Sequence, residues 1–395
     1  MTKNIFAIDL GNKWVKMKSE RGEYVYPAAY FEASQITRNA LQQVILGNDF
    51  YQLDDKQSFI WGEHLEEYHS PEKLIETYSK TDRFNLKKVI RLIEFALARL
   101  AMDYPEAEKN ALKVHLVMGL TSRNDLEAEK LTKLLVKKHS CKVNGVEIRV
   151  DLTKAEQLDL MPQYMGTIFD KAYDENLSEQ TEYKNGRIAI MDIGGAEIAA
   201  SLVNHLEAAP WMDERFEGVQ KLLNAISTRT HLTKIPVLEQ LLIAGKNQKT
   251  YVYRPNQNVK DAKDITAIVS NLTENYTRFT LASFLTQVFP DVENFDRLIL
   301  SGGGSELLDK EALKDEIGTT YFEHLEFLEN AQLSAVRGFY KAGKLHWNIE
   351  QQPESELQKE EKTEPKNELQ DEKLKALIAN VQKLNDNIDS TFEEI

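Results

Sequence analysis

Apolar residues in this chain gather in short compact runs, separated by longer stretches with helical period. Residues 4–9, 111–118, 188–192 and 298–300 are such runs, each leading into glycine or a polar turn, and they read as buried strands. Residues 86–102, 125–138, 216–227, 264–288 and 311–316 read as helices. Strands alternating with helices predict an α/β architecture over residues 1–348. The pattern also repeats. A shift of 183 places Ile5-Phe6-Ala7-Ile8-Asp9-Leu10-Gly11-Asn12 on Ile188-Ala189-Ile190-Met191-Asp192-Ile193-Gly194-Gly195. Both copies run on into a second apolar segment, 14–18 and 197–203, expected as the return strand of a hairpin. Two related halves are therefore expected.

Beyond residue 348 the pattern changes. Residues 349–395 hold 13 acidic and 6 basic side chains, half of the chain's net charge of -14. Residues 349–371 are nearly all polar and are expected to be a disordered acidic linker. In 372–395, Leu374, Leu377, Val381, Leu384, Ile388 and Phe392 recur every three or four residues, which predicts an amphipathic helix. A coiled coil, a docking helix and a helix folded onto its own body all fit that stripe.

Composition narrows the function classes. The 395 residues carry 49 Lys and Arg against 63 Asp and Glu, which argues against direct nucleic-acid binding. Cys141 is the single cysteine, so neither an intrachain disulfide nor a Cys-x-x-Cys metal site can form, and a cytoplasmic location is expected. The N-terminus reaches Asp9 too early for a signal peptide, and the apolar stretch 92–102 is too short for a membrane span. No membrane partner is expected.

Candidate chemistry lies in the turns. Aspartate at the end of a buried strand is costly unless something partners it. The glycines that follow let backbone N–H groups approach an anion closely. Two such turns facing one another, at Asp9 and Asp192, would clamp a phosphate, with both carboxylates towards a hydrated Mg2+. Lys16, seven residues after Asp9, is a candidate phosphate cation. Ser301-Gly302-Gly303-Gly304 follows a strand at 295–300 and is expected to open a helix at Leu307, a nucleotide-binding arrangement. The dinucleotide fingerprint, a P-loop, a His-Glu-x-x-His motif and a Gly-x-Ser-x-Gly elbow are all absent from the sequence. The four tryptophans read as packing residues.

In order, these pieces resemble the actin, Hsp70 and sugar-kinase superfamily. Residues 6–16 resemble its first phosphate loop, 190–197 the second, and 298–304 the adenosine motif. Met161-Pro162-Gln163-Tyr164-Met165-Gly166-Thr167 is similar to the first connecting segment. Ser334-Ala335-Val336-Arg337-Gly338-Phe339-Tyr340-Lys341-Ala342-Gly343 is similar to the second, as found in the ParM (StbA-like) plasmid-segregation actins.

The resemblance implies an actin-like ATPase fold, with domain I at 1–165 and domain II at 166–348 around a nucleotide cleft. It implies ATP and Mg2+ as cofactors, the ion held through water by Asp9 and Asp192. Gln163 would orient the attacking water, with Glu156 as the alternative. Gly11, Asn12, Gly194, Gly195 and Ala196 would hold the β- and γ-phosphates, and Gly302, Gly303 and Gly304 the adenosine side. It also implies self-assembly into cytoskeletal filaments that partition plasmid DNA through a DNA-bound adaptor protein. The pattern departs at Asn12-Lys13 and Ala196-Glu197, where hydroxyl residues are usual. Glu239 and Lys246 read as ordinary surface charge. A monomeric sugar-kinase-like phosphotransferase and a cell-shape or cell-division scaffold are the alternatives on this fold.

Overall fold

The computed structural model describes residues 3–35, 48–53, 57–65, 74–76, 86–120, 125–232, 235–253 and 259–348. The acidic linker and the amphipathic helix expected at 349–395 lie outside the described residues.

The first domain opens with three antiparallel strands, β1 (Asn4–Leu10), β2 (Trp14–Lys18) and β3 (Glu23–Pro27). After β4 (Ala29–Glu32), β5 (Asp49–Gln52), β6 (Ser58–Trp61) and β7 (Ile75–Glu76), helix α1 (Leu86–Ala101) leads to β8 (Leu112–Leu120). β8 lies parallel to β1, and β11 (Leu158–Pro162) lies parallel to β8 on its other side. The N-terminal end of β8 instead pairs with β10 (Val146–Leu152), which continues through β9 (Lys137–Val143) to β5, β6, β4 and β7. Trp61, Tyr30, Tyr51, Phe59 and Phe95 are fully buried and pack as one aromatic cluster between these strands and α1.

The second domain repeats the central plan. β12 (Arg187–Ile193), β13 (Glu197–Asn204) and β14 (Glu207–Glu217) form the antiparallel meander. After a short ribbon, β15 (Val252–Tyr253) with β16 (Lys263–Asp264), and helix α6 (Thr266–Tyr276), the parallel neighbours are β17 (Arg297–Ser301) and β18 (Leu325–Phe327). The order β14-β13-β12-β17-β18 matches β3-β2-β1-β8-β11 strand for strand. Even the hairpin register coincides: Asp9 stands opposite Lys16, and Asp192 opposite Ala199, each seven residues on. The apolar runs of β1 and β12 are nearly continuous because helices cover both faces of each sheet.

Three expected elements differ. The helix expected over 125–138 stops at Leu135 as α2 (Asp125–Leu135), and β9 follows. His139, Cys141 and Val143 are the buried positions there, a period of two that fixes a strand. The helix expected at 216–227 is α4 (Gln220–Thr230), since Phe216 still pairs with Ile198 in the sheet. The glycine cluster does not open a helix at Leu307. Gly303–Leu307 is a 3-10 turn, and Lys310–Ile317 (α7) starts after it, where the Asp309 carboxylate accepts from the N–H groups of Glu311 and Ala312.

Two helices connect the domains. α3 (Gln163–Ala172) leaves β11 and packs Met165, Ile168 and Ala172 on the second sheet. α8 (Ala331–Asn348) returns, placing Val336, Phe339 and Trp347 on Ile5, Ala7 and Val117 of the first. They cross at Gly166 and Gly338, where a Cβ on Gly338 would sit 1.6 Å from the Gly166 carbonyl oxygen. Buried Lys341 donates to the carbonyls of Asp170 and Tyr173 and to the Asp170 carboxylate, which locks α8 to the end of α3. Arg337 forks onto Glu23 of β3 at 2.9 and 2.7 Å. Burial alone would raise the Glu23 pKa, but Arg337 and Lys18 outweigh it and hold the carboxyl below its usual range.

Candidate functional site

The turns that end β1, β12 and β17 open into a single cavity of about 440 Å³ between the two domains. The first two are built alike. Gly11 N–H donates to the Trp14 carbonyl at 3.0 Å, and Gly194 N–H to the Glu197 carbonyl at 3.0 Å. Neither glycine has room for a side chain: a Cβ at Gly11 would meet Trp14 O at 3.0 Å, and one at Gly194 would meet Glu197 O at 2.8 Å. The third turn depends on Gly302, whose φ of +80° disfavours any residue with a Cβ. A Cβ there would fall 2.3 Å from Asp192 Oδ1, so the β17 turn is pressed against the β12 carboxylate.

Asp9 is 2% exposed, and its charge is matched on both oxygens. Lys16 Nζ donates to Oδ2 at 2.9 Å, and Gln163 Nε2 donates to Oδ1 at 3.1 Å. The lysine comes from the facing position of the hairpin, and the glutamine from the first turn of α3 after Pro162. With its amide nitrogen on Asp9, Gln163 keeps Oε1 as an acceptor. Across the cavity, the Thr167 and Ser301 hydroxyls are 3.0 Å apart and tie α3 to the end of β17.

Eleven of the residues singled out from sequence line this cavity: Asp9, Gly11, Asn12, Lys16, Gln163, Asp192, Gly194, Gly195, Gly302, Gly303 and Gly304. Ala196 does not; its carbonyl accepts from Gly218 N–H at 3.0 Å. Glu156 also lies elsewhere, largely exposed and paired with Lys154. Sequence reasoning missed Trp14, read as packing, and Glu239, read as surface charge; both line the cavity. Glu239 and Ile243 are four apart on α5 (Ile235–Gly245), so they share a face, and that spacing was the available signal. Lys246 pairs with Glu306, another lining residue, at 3.5 Å.

The chemistry of the lining is specific. Asp9, Asp192, Glu197, Glu239 and Glu306 bring carboxylates, while Lys13 and Lys16 bring ammonium groups. Among the described residues, no three His, Cys, Asp or Glu side chains converge to ligate a metal directly. Asp9 and Asp192 offer only oxygen donors, which fits a hard cation that keeps its water shell. Glycine turns beside two lysines fit an anionic ligand with several oxygens. Among the described residues, no helix is long and apolar enough to cross a membrane.

Two family models match in succession: "Actin like proteins N terminal domain" over residues 7–166 and "Alp7A C-terminal domain" over residues 187–331. Together they span more than three quarters of the chain. No curated protein matches it in sequence. Among solved structures, the actin-like protein Alp7A is 15% identical with a TM-score of 0.70, covering 90% of this chain and 100% of its own. Bacillus thuringiensis ParM with AMPPNP is 15% identical with a TM-score of 0.62, covering 87% and 99%. ParM in a 15-stranded filament from Clostridium botulinum is 16% identical with a TM-score of 0.64, covering 87% and 100%. At these identities the likeness is one of fold.

Proposed function

The chain belongs to the actin-like family that includes ParM and Alp7A, and from that membership we propose an ATPase that polymerises with ATP and Mg2+. Its filaments would move plasmid DNA through a DNA-bound adaptor protein, in the cytoplasm. The observation that carries this reading is the mirrored pair of glycine turns, 183 residues apart, that present Asp9 and Asp192 to one cavity.

In this reading the backbone around Gly11, Asn12, Gly194 and Gly195 cradles the β- and γ-phosphates, and Lys16 supplies a positive charge beside them. Ala196 contributes only by shaping its turn. Gly302, Gly303 and Gly304 leave room for the adenosine side, closed by Glu239 and Ile243 of α5. Asp9 and Asp192 hold Mg2+ through water, and the ion supplies neutralisation of phosphate charge when bound. Gln163 is too weak a base to deprotonate water, so it orients the attacking water by hydrogen bonding while anchored on Asp9. The nucleotide in the B. thuringiensis ParM structure and the filament of the C. botulinum protein support the ligand and the assembly.

The test is right-angle light scattering of the purified chain on adding ATP and Mg2+, with ADP and nucleotide-free controls. The expected result is an ATP-dependent rise above a threshold protein concentration. Phosphate release without any rise would leave an ATPase and remove the filament. Turnover unchanged in Asp9→Ala or Asp192→Ala would remove the clamp.

A further inference from the structure

Lys13 and Glu239 meet across the cleft although 226 positions separate them in the chain. Lys13 stands in the turn between β1 and β2 of the first domain, and Glu239 on α5 of the second. Nζ and Oε2 are 3.2 Å apart, with the side chains 25% and 14% exposed. The path of the lysine is as telling as its end. A Cβ at Gly195 would lie 3.2–3.6 Å from its Cδ, Cε and Cγ, so the stem runs directly over the second glycine turn. That turn is where the phosphates sit under the proposed function, on which this inference rests. Ligand and lysine stem thus need the same space.

We propose that Glu239 competes with the nucleotide's phosphates for the Lys13 ammonium, so that nucleotide binding breaks an ion pair tying the two domains together. A carboxylate offers the ammonium one negative charge, and a polyphosphate offers several, at a site partly shielded from solvent. Binding therefore moves Lys13 from α5 to the phosphates. It also releases α5 from the first domain, while α3 and α8 still connect the two domains. Glycine at 195 is required for this exchange, because the stem must slide across backbone with no side chain in its way.

The test is a double-mutant cycle on MgATP affinity, read by calorimetry on the full chain below any assembly threshold. Lys13→Met keeps the stem and removes the charge; Glu239→Gln keeps the shape and removes the rival. Glu239→Gln is expected to tighten MgATP roughly fivefold, and Lys13→Met to weaken it by a similar factor. The gain from Glu239→Gln should vanish in the Lys13→Met background. Weaker binding in Glu239→Gln would mean that Glu239 holds the nucleotide itself, and overturns the exchange. A gain that persists without Lys13 would reflect bulk charge repulsion, and overturns it too, as would no change in either single variant. A wild-type chain that binds no nucleotide would instead overturn the proposed function and this exchange with it.

Discussion

Asp9 concentrates the chemistry of the cleft in one side chain. It is buried at the end of a strand, and it stays compatible with burial because an ammonium and an amide each take one oxygen. Gln163 therefore has two possible uses, fixing Asp9 and orienting water, and they separate by kinetics. Gln163→Ala should lower single-turnover phosphate release about 100-fold. ATP affinity should stay within about twofold, since a water-orienting group acts mainly in the transition state. An equal loss of affinity and rate would assign Gln163 to Asp9 alone. At this scale the hairpin was legible: strand geometry puts residue 16 opposite residue 9, and the sequence offset shows it. The Lys13–Glu239 pair was not, because an offset of 226 carries no local signal and only the closed tertiary structure brings the partners together. Ala196 lies outside the cavity lining although it directly follows Gly195, a placement that the motif's spacing does not show.

Among the elements, the crossing of α3 and α8 is the least forgiving contact. Replacing glycine by alanine within a helix normally favours the helix by about 1 kcal/mol. At Gly338 the sign reverses, since the new Cβ would lie 1.6 Å from the Gly166 carbonyl oxygen. At Gly166 too a Cβ would meet the facing Ala335 carbonyl oxygen at 2.4 Å, so the two backbones are already in close contact. Gly338→Ala should therefore cost about 3 kcal/mol of stability, at the upper end of overpacking, measured by urea unfolding. Stabilisation would show that the helices slide apart freely. Sequence patterns did not place these two helices, which only the resemblance of 161–167 and 334–343 to connecting segments had marked. They also failed at 137–143, where lysines and a histidine mask a strand whose period of two continues directly from helical spacing. The Leu307 start failed because the glycines form a tight 3-10 turn and the true cap, Asp309, comes later.

At the scale of the described body, which ends at Asn348, the chain is a duplicated sheet closed by one returning helix, and the duplication was legible because both copies keep the apolar run, the aspartate and the glycine. The closure was legible only through the resemblance of 334–343 to the second connecting segment, because α8 follows the second domain in sequence yet buries its apolar face on the first. Its last turn carries Trp347, 4% exposed, packed on the first sheet and donating from Nε1 to the Glu156 carbonyl at 3.1 Å. A chain that ends after Lys344 loses this anchor, whereas one that ends after Asn348 keeps it. Comparing the two truncations isolates the last turn of α8, residues 345–348, of which Trp347 is the buried one, because both lack everything beyond residue 348. Loss of a buried tryptophan costs about 3–5 kcal/mol. For a body of this size a difference of 1 kcal/mol moves the melting temperature by roughly 2 °C. The shorter chain should then melt about 6–10 °C lower by calorimetry. Because α8 also holds α3 through Lys341, the loss should appear in one transition spanning both domains rather than in the first domain alone. Equal melting temperatures would mean that the return helix covers the first sheet without stabilising it. A split transition would mean that the crossed helices do not couple the two halves.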